Sequence, residues 1–409
     1  MLNVENIRKD FPMLKQTMQN HPLIYFDNGA TTLKPQSVID AVVHYYTHLS
    51  TNAHRGDYDL SFKVDHEFEE ARQVVADFLH AQQKEIVFTS GASESLNLVA
   101  YGYGRKFLKS GDVVLTTEAE HASTMLPWMR TCEETGAKLN YIPLDEEGRV
   151  TLDNIRKVIT KKVKVIALAQ VTNVLGFEVP IKEICSLAHT LGAIVVVDGA
   201  QSVPHIPIDV QDLDCDFLAF SAHKCCGPTG VGVLYGKYEL LDRMDSFLLG
   251  GGSNARYDMC GNILLKNPPH KFESGTPAIE AVIGMKAALL YLMNIGMENI
   301  HRYEQELHQY IISALEKMDH IILYNKNCEA GIITFNVKDV FAQDAATYFN
   351  TNGIAVRSGQ HCAKLLLDRL NTSATIRASI YFYNTKEEAD RFIEVCRSAS
   401  METCLDVFF

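Results

Sequence analysis

The 409-residue chain has no run of about 18 apolar side chains, so no membrane-spanning helix is expected. Residues 1–10 carry charges and no apolar stretch, so no secretion signal is read and a cytoplasmic location is expected. Basic side chains are the minority: 38 Lys and Arg against 50 Asp and Glu leave a net charge of −12. Phosphate backbones need clustered Lys and Arg, so nucleic acid is not expected as a partner. Neither GxGxxG nor GxxxxGK[ST] occurs, which removes the dinucleotide and nucleoside-triphosphate fingerprints. Internal repeats and low-complexity linkers are missing too. CxxC and HExxH are absent, and the spacing of His54, Arg55, His205 and His361 fits no paired ligand pattern, so no metal is expected.

What is present is an ordinary globular composition. Hydrophobic residues make up 47% and charged residues 22%, enough apolar material to offset the entropy of ordering the chain. The ten cysteines include only one close pair, Cys225–Cys226. Adjacent cysteines rarely bridge each other and chelate a tetrahedral metal poorly. Most of the ten are expected to be free thiols acting as small apolar residues, with one left to do chemistry.

Short β-rich runs alternate with helical patterns. Strands are expected at Glu85–Thr89, Asp112–Thr116, Val163–Ala169, Ala193–Val197, Phe217–Phe220 and Val231–Tyr235. Ile194–Val197 is apolar on both faces, as suits a parallel strand covered by helices. Val179–Leu191 reads as an amphipathic helix closed by Gly192. This alternation predicts a doubly wound α/β core. From Ala278 the texture changes. A long helical pattern covers Ala278–Leu315. Then come strands at Ala330–Val337, Ile354–Arg357 and Ala378–Tyr383, a helix at Gln343–Asn350 stopped by Gly353, and a capping box at Thr385–Glu388 opening the last helix. A large α/β domain is expected over 21–290 and a smaller α+β domain over 291–409, with residues 1–20 packed on the smaller one.

Three segments carry candidate chemistry. The strand Phe217–Phe220 runs into Ser221-Ala-His223-Lys224. A lysine at the end of an apolar strand is functional or snorkels. Asp198 ends a second buried strand, on the side of an open parallel sheet where ligands bind. A Lys and an Asp so disposed match a pyridoxal phosphate site, in which the Asp keeps the pyridine nitrogen protonated. The third segment, Ile86-Val-Phe-Thr89-Ser-Gly91-Ala92-Ser93, is a strand, a glycine turn and a helix start, whose free N–H groups suit a phosphate.

On these residues the chain resembles the class V, fold-type I pyridoxal phosphate enzymes, and within them the SUF-type (group II) cysteine desulfurases. The likeness runs from Ile7-Arg-Lys-Asp-Phe-Pro-Met-Leu and Tyr25-Phe-Asp-Asn-Gly29-Ala30 through Ala53-His54-Arg55-Gly56, Glu120-His121-Ala122, Val171-Thr-Asn173-Val-Leu-Gly176, Val197-Asp-Gly-Ala-Gln201 and Ser221-Ala-His-Lys224. It continues through Ser274-Gly-Thr276-Pro277 and Arg357-Ser-Gly-Gln-His-Cys362-Ala to Arg377-Ala-Ser.

The resemblance implies a large, mostly parallel sheet of the seven-stranded type beside a smaller domain, and it implies site roles. Lys224 holds pyridoxal 5'-phosphate and shuttles the Cα proton. Asp198 pairs with the ring nitrogen, Gln201 with the phenolic oxygen, and His121 stacks on the ring. Ala92, Ser93, Ser221 and His223 hold the phosphate, with Thr276 of a second subunit, which implies a homodimer. Arg377, helped by Asn173, grips the substrate carboxylate, with Arg357 nearby.

Cys362 is the expected nucleophile, in a loop with cationic neighbours that favour a thiolate. It would attack the sulfur of L-cysteine, keep a persulfide, and pass it to a sulfur-acceptor protein for iron–sulfur cluster assembly while alanine leaves. Selenocysteine lyase, aminotransferase or epimerase chemistry, and a scaffold with a retired site are alternatives. Two positions depart from the pattern. Cys225–Cys226 stand where the family usually has a hydrophobic residue and an aromatic one, and Gln360 where the group commonly carries His.

Overall fold

β-branched and aromatic runs build a seven-stranded sheet in the computed structural model, which describes residues 2–54 and 56–408; Arg55 lies outside the described residues. Its strands are β1 (Ile86–Thr89), β2 (Val113–Thr116), β3 (Lys138–Tyr141), β4 (Val163–Ala169), β5 (Ile194–Asp198), β6 (Phe217–Ser221) and β7 (Gly232–Gly236). Their spatial order is β1-β7-β6-β5-β4-β2-β3. Strands β6, β5, β4, β2 and β3 pair in parallel, while β7 runs antiparallel to both β1 and β6. Only residues 222–231 separate β6 from β7, too few for the crossover a parallel pair needs. β5 to β7 are buried along their whole length. β3, an exposed edge strand of mixed polarity, has no apolar run, which is why sequence periodicity misses it.

A second sheet follows, ordered Ile321–Leu323, Ile332–Val337, Thr375–Ser379, Arg357–Gly359, all antiparallel. Phe335, Phe349 and Phe392 form its core together with Ile24 and Phe26, from a segment far earlier in the chain. Ile24–Tyr25 pairs in parallel with Ile354–Ala355. Arg8 donates to the Tyr383 carbonyl at 2.6 Å and pairs with Glu388 at 2.8 Å, and Phe11 packs among Tyr291, Phe382 and Tyr383.

Three sequence expectations are corrected. The helical stretch Ala278–Leu315 is two helices, Ile279–Ile295 and Met297–Leu315, bent by 73° at Gly296, whose φ of +89° no helix accommodates. The strand expected at Ala378–Tyr383 lies earlier, at Thr375–Ser379. Ile380–Tyr383 leaves the ladder, and its aromatics turn into the core beneath the large sheet, where the Tyr381 hydroxyl donates to the Pro204 carbonyl at 2.9 Å. Ile354–Arg357 divides, Ile354–Ala355 joining the N-terminal segment and Arg357–Gly359 the small sheet. The capping box forms as read, Thr385 and Glu388 bonding each other's backbone. Among the described residues no single helix is long and apolar enough to cross a membrane, and no group of three His, Cys, Asp or Glu is placed to hold a metal ion.

Candidate active site

The carboxyl ends of β4, β5 and β6 open into a cavity of about 270 Å³, closed on its other side by Arg357, His361, Cys362 and Arg377 from the C-terminal part of the chain. Lys224, Asp198, Gln201, His121, Ala92, Ser93, Ser221, His223 and Asn173 line the remainder. Every site residue expected from sequence is therefore in one cavity except Thr276. That residue is exposed on a turn away from it and receives a long bond from Asn52 at 3.4 Å.

Asp198 is the last residue of β5 and is 5% exposed. Its carboxylate accepts from the Ala200 N–H at 2.9 Å and from the Thr124 hydroxyl at 2.9 Å, so a buried charge has two donors. Lys224 closes the short turn after β6. Burial lowers its ammonium to about 8, with Asp198 opposing the shift and Arg377 reinforcing it. The carbonyl just before it, on His223, is held by Thr31 Oγ1 at 3.0 Å, Thr32 Oγ1 at 3.1 Å and Lys34 Nζ at 3.0 Å. Burial also lowers the imidazoles of His121 and His223, the latter to about 4, so both rings are neutral near pH 7. Glu120, next to His121, is buried; desolvation raises its carboxyl to about 8, against donation from Thr117 and the Ala169 N–H.

The phosphate-binding candidates form a cup at one end. The helix Ala92–Val99 starts directly after the β1 turn, and its Ala92 N–H donates to Ser221 Oγ at 2.8 Å. Ser93 and Ser123 share a hydroxyl bond at 2.7 Å. A Cβ at Gly232 would stand 2.4 Å from Gly91 Cα, so only glycine lets β7 pass this close beneath the turn.

At the opposite end Arg377 is 3% exposed. Gly29 makes room for it, because a Cβ there would lie 3.1 Å from the guanidinium carbon. Asp27 pairs with Arg357 at 3.1 Å and reaches Arg377 at 3.7 Å. Burial lowers Arg377 to about 10, with Asp27 opposing. Arg377 Nη1 donates to the Asn173 carbonyl at 2.8 Å. Cys362 is exposed at the cavity mouth, and both it and His361 have positive φ, +56° and +51°, at about 1 kcal/mol each. Three contacts hold this strained loop. Asn173 Nδ2 donates to the His361 carbonyl at 2.8 Å, the Ala122 N–H donates to the Cys362 carbonyl at 2.8 Å, and His361 Nε2 meets Thr375 Oγ1 at 3.0 Å. His361 is driven down to about 3 by burial and by Arg377.

The cavity walls carry four buried polar side-chain atoms without partners: Gln201 Oε1, Asn173 Oδ1, His361 Nδ1 and Arg377 Nε. Of these, Arg377 Nε is a cationic donor; with the serine cup at the opposite end and the Asp198 carboxylate between, it fits a flat ligand with a phosphate at one end and a carboxylate at the other, in the manner of pyridoxal phosphate with an amino acid. Sequence reasoning assigned no role to Asp27, Thr124, Glu120 and Ser123. Asp27, Glu120 and Ser123 sit within or beside quoted motifs, but their partners are distant in the chain.

The Cys225–Cys226 pair lies behind Lys224, fully buried. Burial raises both thiols, Cys226 to about 12. Cys226 has φ +59°, and its N–H donates to Thr32 Oγ1 at 2.8 Å.

Comparison with known proteins agrees with this geometry. The Aminotransferase class-V family model matches residues 24–392. A protein of Halalkalibacterium halodurans named probable cysteine desulfurase is 44% identical over 392 residues, covering 95% of this chain and 96% of that one. The solved structure of the cysteine desulfurase CsdA of Escherichia coli matches with a TM-score of 0.91 at 35% identity, covering 99% of both chains. The apo cysteine desulfurase of Thermococcus onnurineus NA1 gives 0.92 at 40% identity, covering 97% of this chain and 98% of that one. The seven-stranded sheet, the cavity at its strand ends and these likenesses lead to one conclusion: the chain belongs to the class V aminotransferase family.

Proposed function

We propose that the protein is a pyridoxal phosphate-dependent cysteine desulfurase that converts L-cysteine to L-alanine, with the sulfur taken up as a persulfide on Cys362. The observation that carries this reading is that Lys224, Asp198, Arg377 and Cys362 all line the one cavity. An aminotransferase has no use for an exposed thiol at the mouth of its site, which favours the desulfurase.

Ala92, Ser93, Ser221 and His223 would hold the cofactor phosphate, Asp198 the ring nitrogen, Gln201 the phenolic oxygen and His121 the ring face. When bound, the cofactor supplies an electron sink for the pair left at the substrate α-carbon. Arg377 orients the substrate by its carboxylate, through the bidentate geometry a guanidinium offers, with Arg357 beside it. Lys224, with its lowered ammonium, accepts the Cα proton and returns it. Cys362 Sγ attacks the substrate sulfur; an S–S bond forms, the C–S bond breaks, and alanine leaves after reprotonation.

The persulfide then passes to the thiol of an acceptor protein feeding iron–sulfur cluster assembly, which the exposure of Cys362 permits. A homodimer, with Thr276 completing the phosphate cup of the second subunit, accounts for the exposure of that residue.

The test is direct. Purified protein is incubated with L-cysteine, and alanine and sulfide are measured with and without reductant. Wild type is expected to form both, while Cys362→Ser and Lys224→Ala form neither. Equal activity in Cys362→Ser, or amino transfer to a 2-oxo acid as the dominant reaction, overturns the reading.

A further inference from the structure

We propose that Ser123 is a positioning residue for the phosphate cup, its hydroxyl aiming the O–H of Ser93 at the anion. The inference rests on the cofactor part of the desulfurase reading and adds to the cup a residue from a second helix. Ser93 is the second residue of the helix Ala92–Val99, and Ser123 is the second residue of the helix Ala122–Thr135. The two helices pack against each other, both serines line the cavity, and their hydroxyls meet at 2.7 Å. A hydroxyl has one proton to donate and two lone pairs to accept with. When Ser93 spends its proton on an anion in the cup, the bond between the serines has only one direction left: Ser123 donates and Ser93 accepts. Hydrogen bonds in such a chain polarise one another, so the Ser93 O–H becomes the better donor.

Ser93 gains from such a partner. It is exposed, and an exposed hydroxyl turns freely and is shared with water, whereas Ser123 is half-buried. A fixed neighbour holds the rotor before the ligand arrives, which lowers the ordering cost of binding. Ser123 is itself held in place. Its backbone N–H donates to His121 Nδ1 at 3.1 Å, which leaves the proton of the neutral ring on Nε2. The next residue, Thr124, donates to the Asp198 carboxylate at 2.9 Å. The short stretch 121–124 therefore reaches three parts of the site: the ring face through His121, the phosphate cup through Ser123, and the ring-nitrogen carboxylate through Thr124.

The experiment titrates full-length apoprotein with pyridoxal phosphate and, separately, with pyridoxal, following the absorbance of the bound ligand. Pyridoxal has the same ring without the phosphate, so it reports on the whole site except the cup. Wild type is compared with Ser123→Ala, Ser123→Thr, Ser93→Ala and the Ser93→Ala/Ser123→Ala double variant. Alanine is a good helix former and keeps the backbone N–H that His121 uses. We expect Ser123→Ala to weaken pyridoxal phosphate about threefold to tenfold while pyridoxal stays within about twofold, and Ser123→Thr to restore the wild-type preference. Because Ser123 acts through Ser93, the double variant should bind pyridoxal phosphate no more weakly than Ser93→Ala alone. An unchanged preference in Ser123→Ala overturns the proposal. So does an equal loss for both ligands, which makes the effect merely structural, and so do additive losses in the double variant, which remove the relay through Ser93. Wild type that binds pyridoxal phosphate no better than pyridoxal overturns this proposal and the cofactor reading together; absence of alanine and sulfide with that preference intact sinks the desulfurase reading alone.

Discussion

The Thr124 hydroxyl donates to the Asp198 carboxylate at 2.9 Å, linking the helix that follows His121 to the end of β5. A hydrogen bond to a charged group contributes about 1.5–3 kcal/mol. Thr124→Val keeps the side-chain shape and removes the donor. We expect kcat for cysteine desulfuration to fall about tenfold with little change in KM, because the carboxylate proposed to meet the cofactor's ring nitrogen is less well held. Unaltered kcat in this variant would show that the Ala200 N–H alone is sufficient.

Cys362 is exposed, so replacing it should leave the fold intact. Cys362→Ser is expected to lose at least about 100-fold in sulfide production while thermal stability stays within about 0.5 kcal/mol of wild type. Cys260→Ser, at the other exposed thiol, serves as control and should retain full activity. Loss of activity in both variants would point to a general thiol effect.

Burial lowers Lys224 to about 8, so its amine is neutral above that pH and increasingly protonated below it. Only the neutral amine can react with a carbonyl. Capture of pyridoxal phosphate by apoprotein should therefore slow by about tenfold per unit as pH falls below about 8, and level off above it. Stopped-flow absorbance between about pH 6 and pH 10, both limits about two units from the expected midpoint, would read this out. A rate still climbing at the upper limit contradicts the lowered value.

Glu120 gives a stability prediction of definite sign. Desolvation raises its carboxyl to about 8 in the folded protein, from the ordinary 4.5 of a glutamate. Between those values the folded state binds the extra proton, so wild-type stability falls as pH rises through this window and levels off above it. Glu120→Gln mimics the protonated acid, with Oε1 accepting from the Ala169 N–H and Nε2 donating to Thr117. Its advantage over wild type should be near zero around pH 5 and grow to about 1–3 kcal/mol by pH 8, measured as Tm across the range. A constant difference over that range removes the argument.

Cys225 and Cys226 are buried with raised thiols and no access to solvent, so they act as small packing groups behind the Lys224 turn. The double variant Cys225→Ala/Cys226→Ala should keep turnover and persulfide loading within about twofold and lose about 1–3 kcal/mol of stability to the two small cavities. Lost persulfide loading in a folded double variant would instead give the pair a role in sulfur handling.

Much of this molecule is legible along the chain because its signals are local. The apolar runs of β4 to β6 announce buried strands, Gly91-Ala92-Ser93 announces a strand-to-helix turn, and Thr385–Glu388 announces a helix start. Where the reading missed, the deciding contact was remote or the local signal was weak. β3 carries exposed polar side chains. Ile380–Tyr383 has strand composition, yet its aromatics find a better burial under the large sheet than in the ladder. Gly296 sits inside an uninterrupted apolar pattern, so the break there depends on which way the two helices must pack.

By itself the sequence determined the α/β class and the candidate pair at strand ends, Lys224 and Asp198, because residue type and spacing encode these directly, while Cys362 was singled out by the resemblance of its loop to a family motif. Only the tertiary structure decided what surrounds them. Asp27 meets two arginines more than three hundred residues away, Thr124 meets Asp198, and Asn173 meets the peptide before Cys362. The pKa of Lys224 was likewise not a property of its motif. It follows from burial against Asp198 and Arg377, and these converge on one cavity only once the chain is folded.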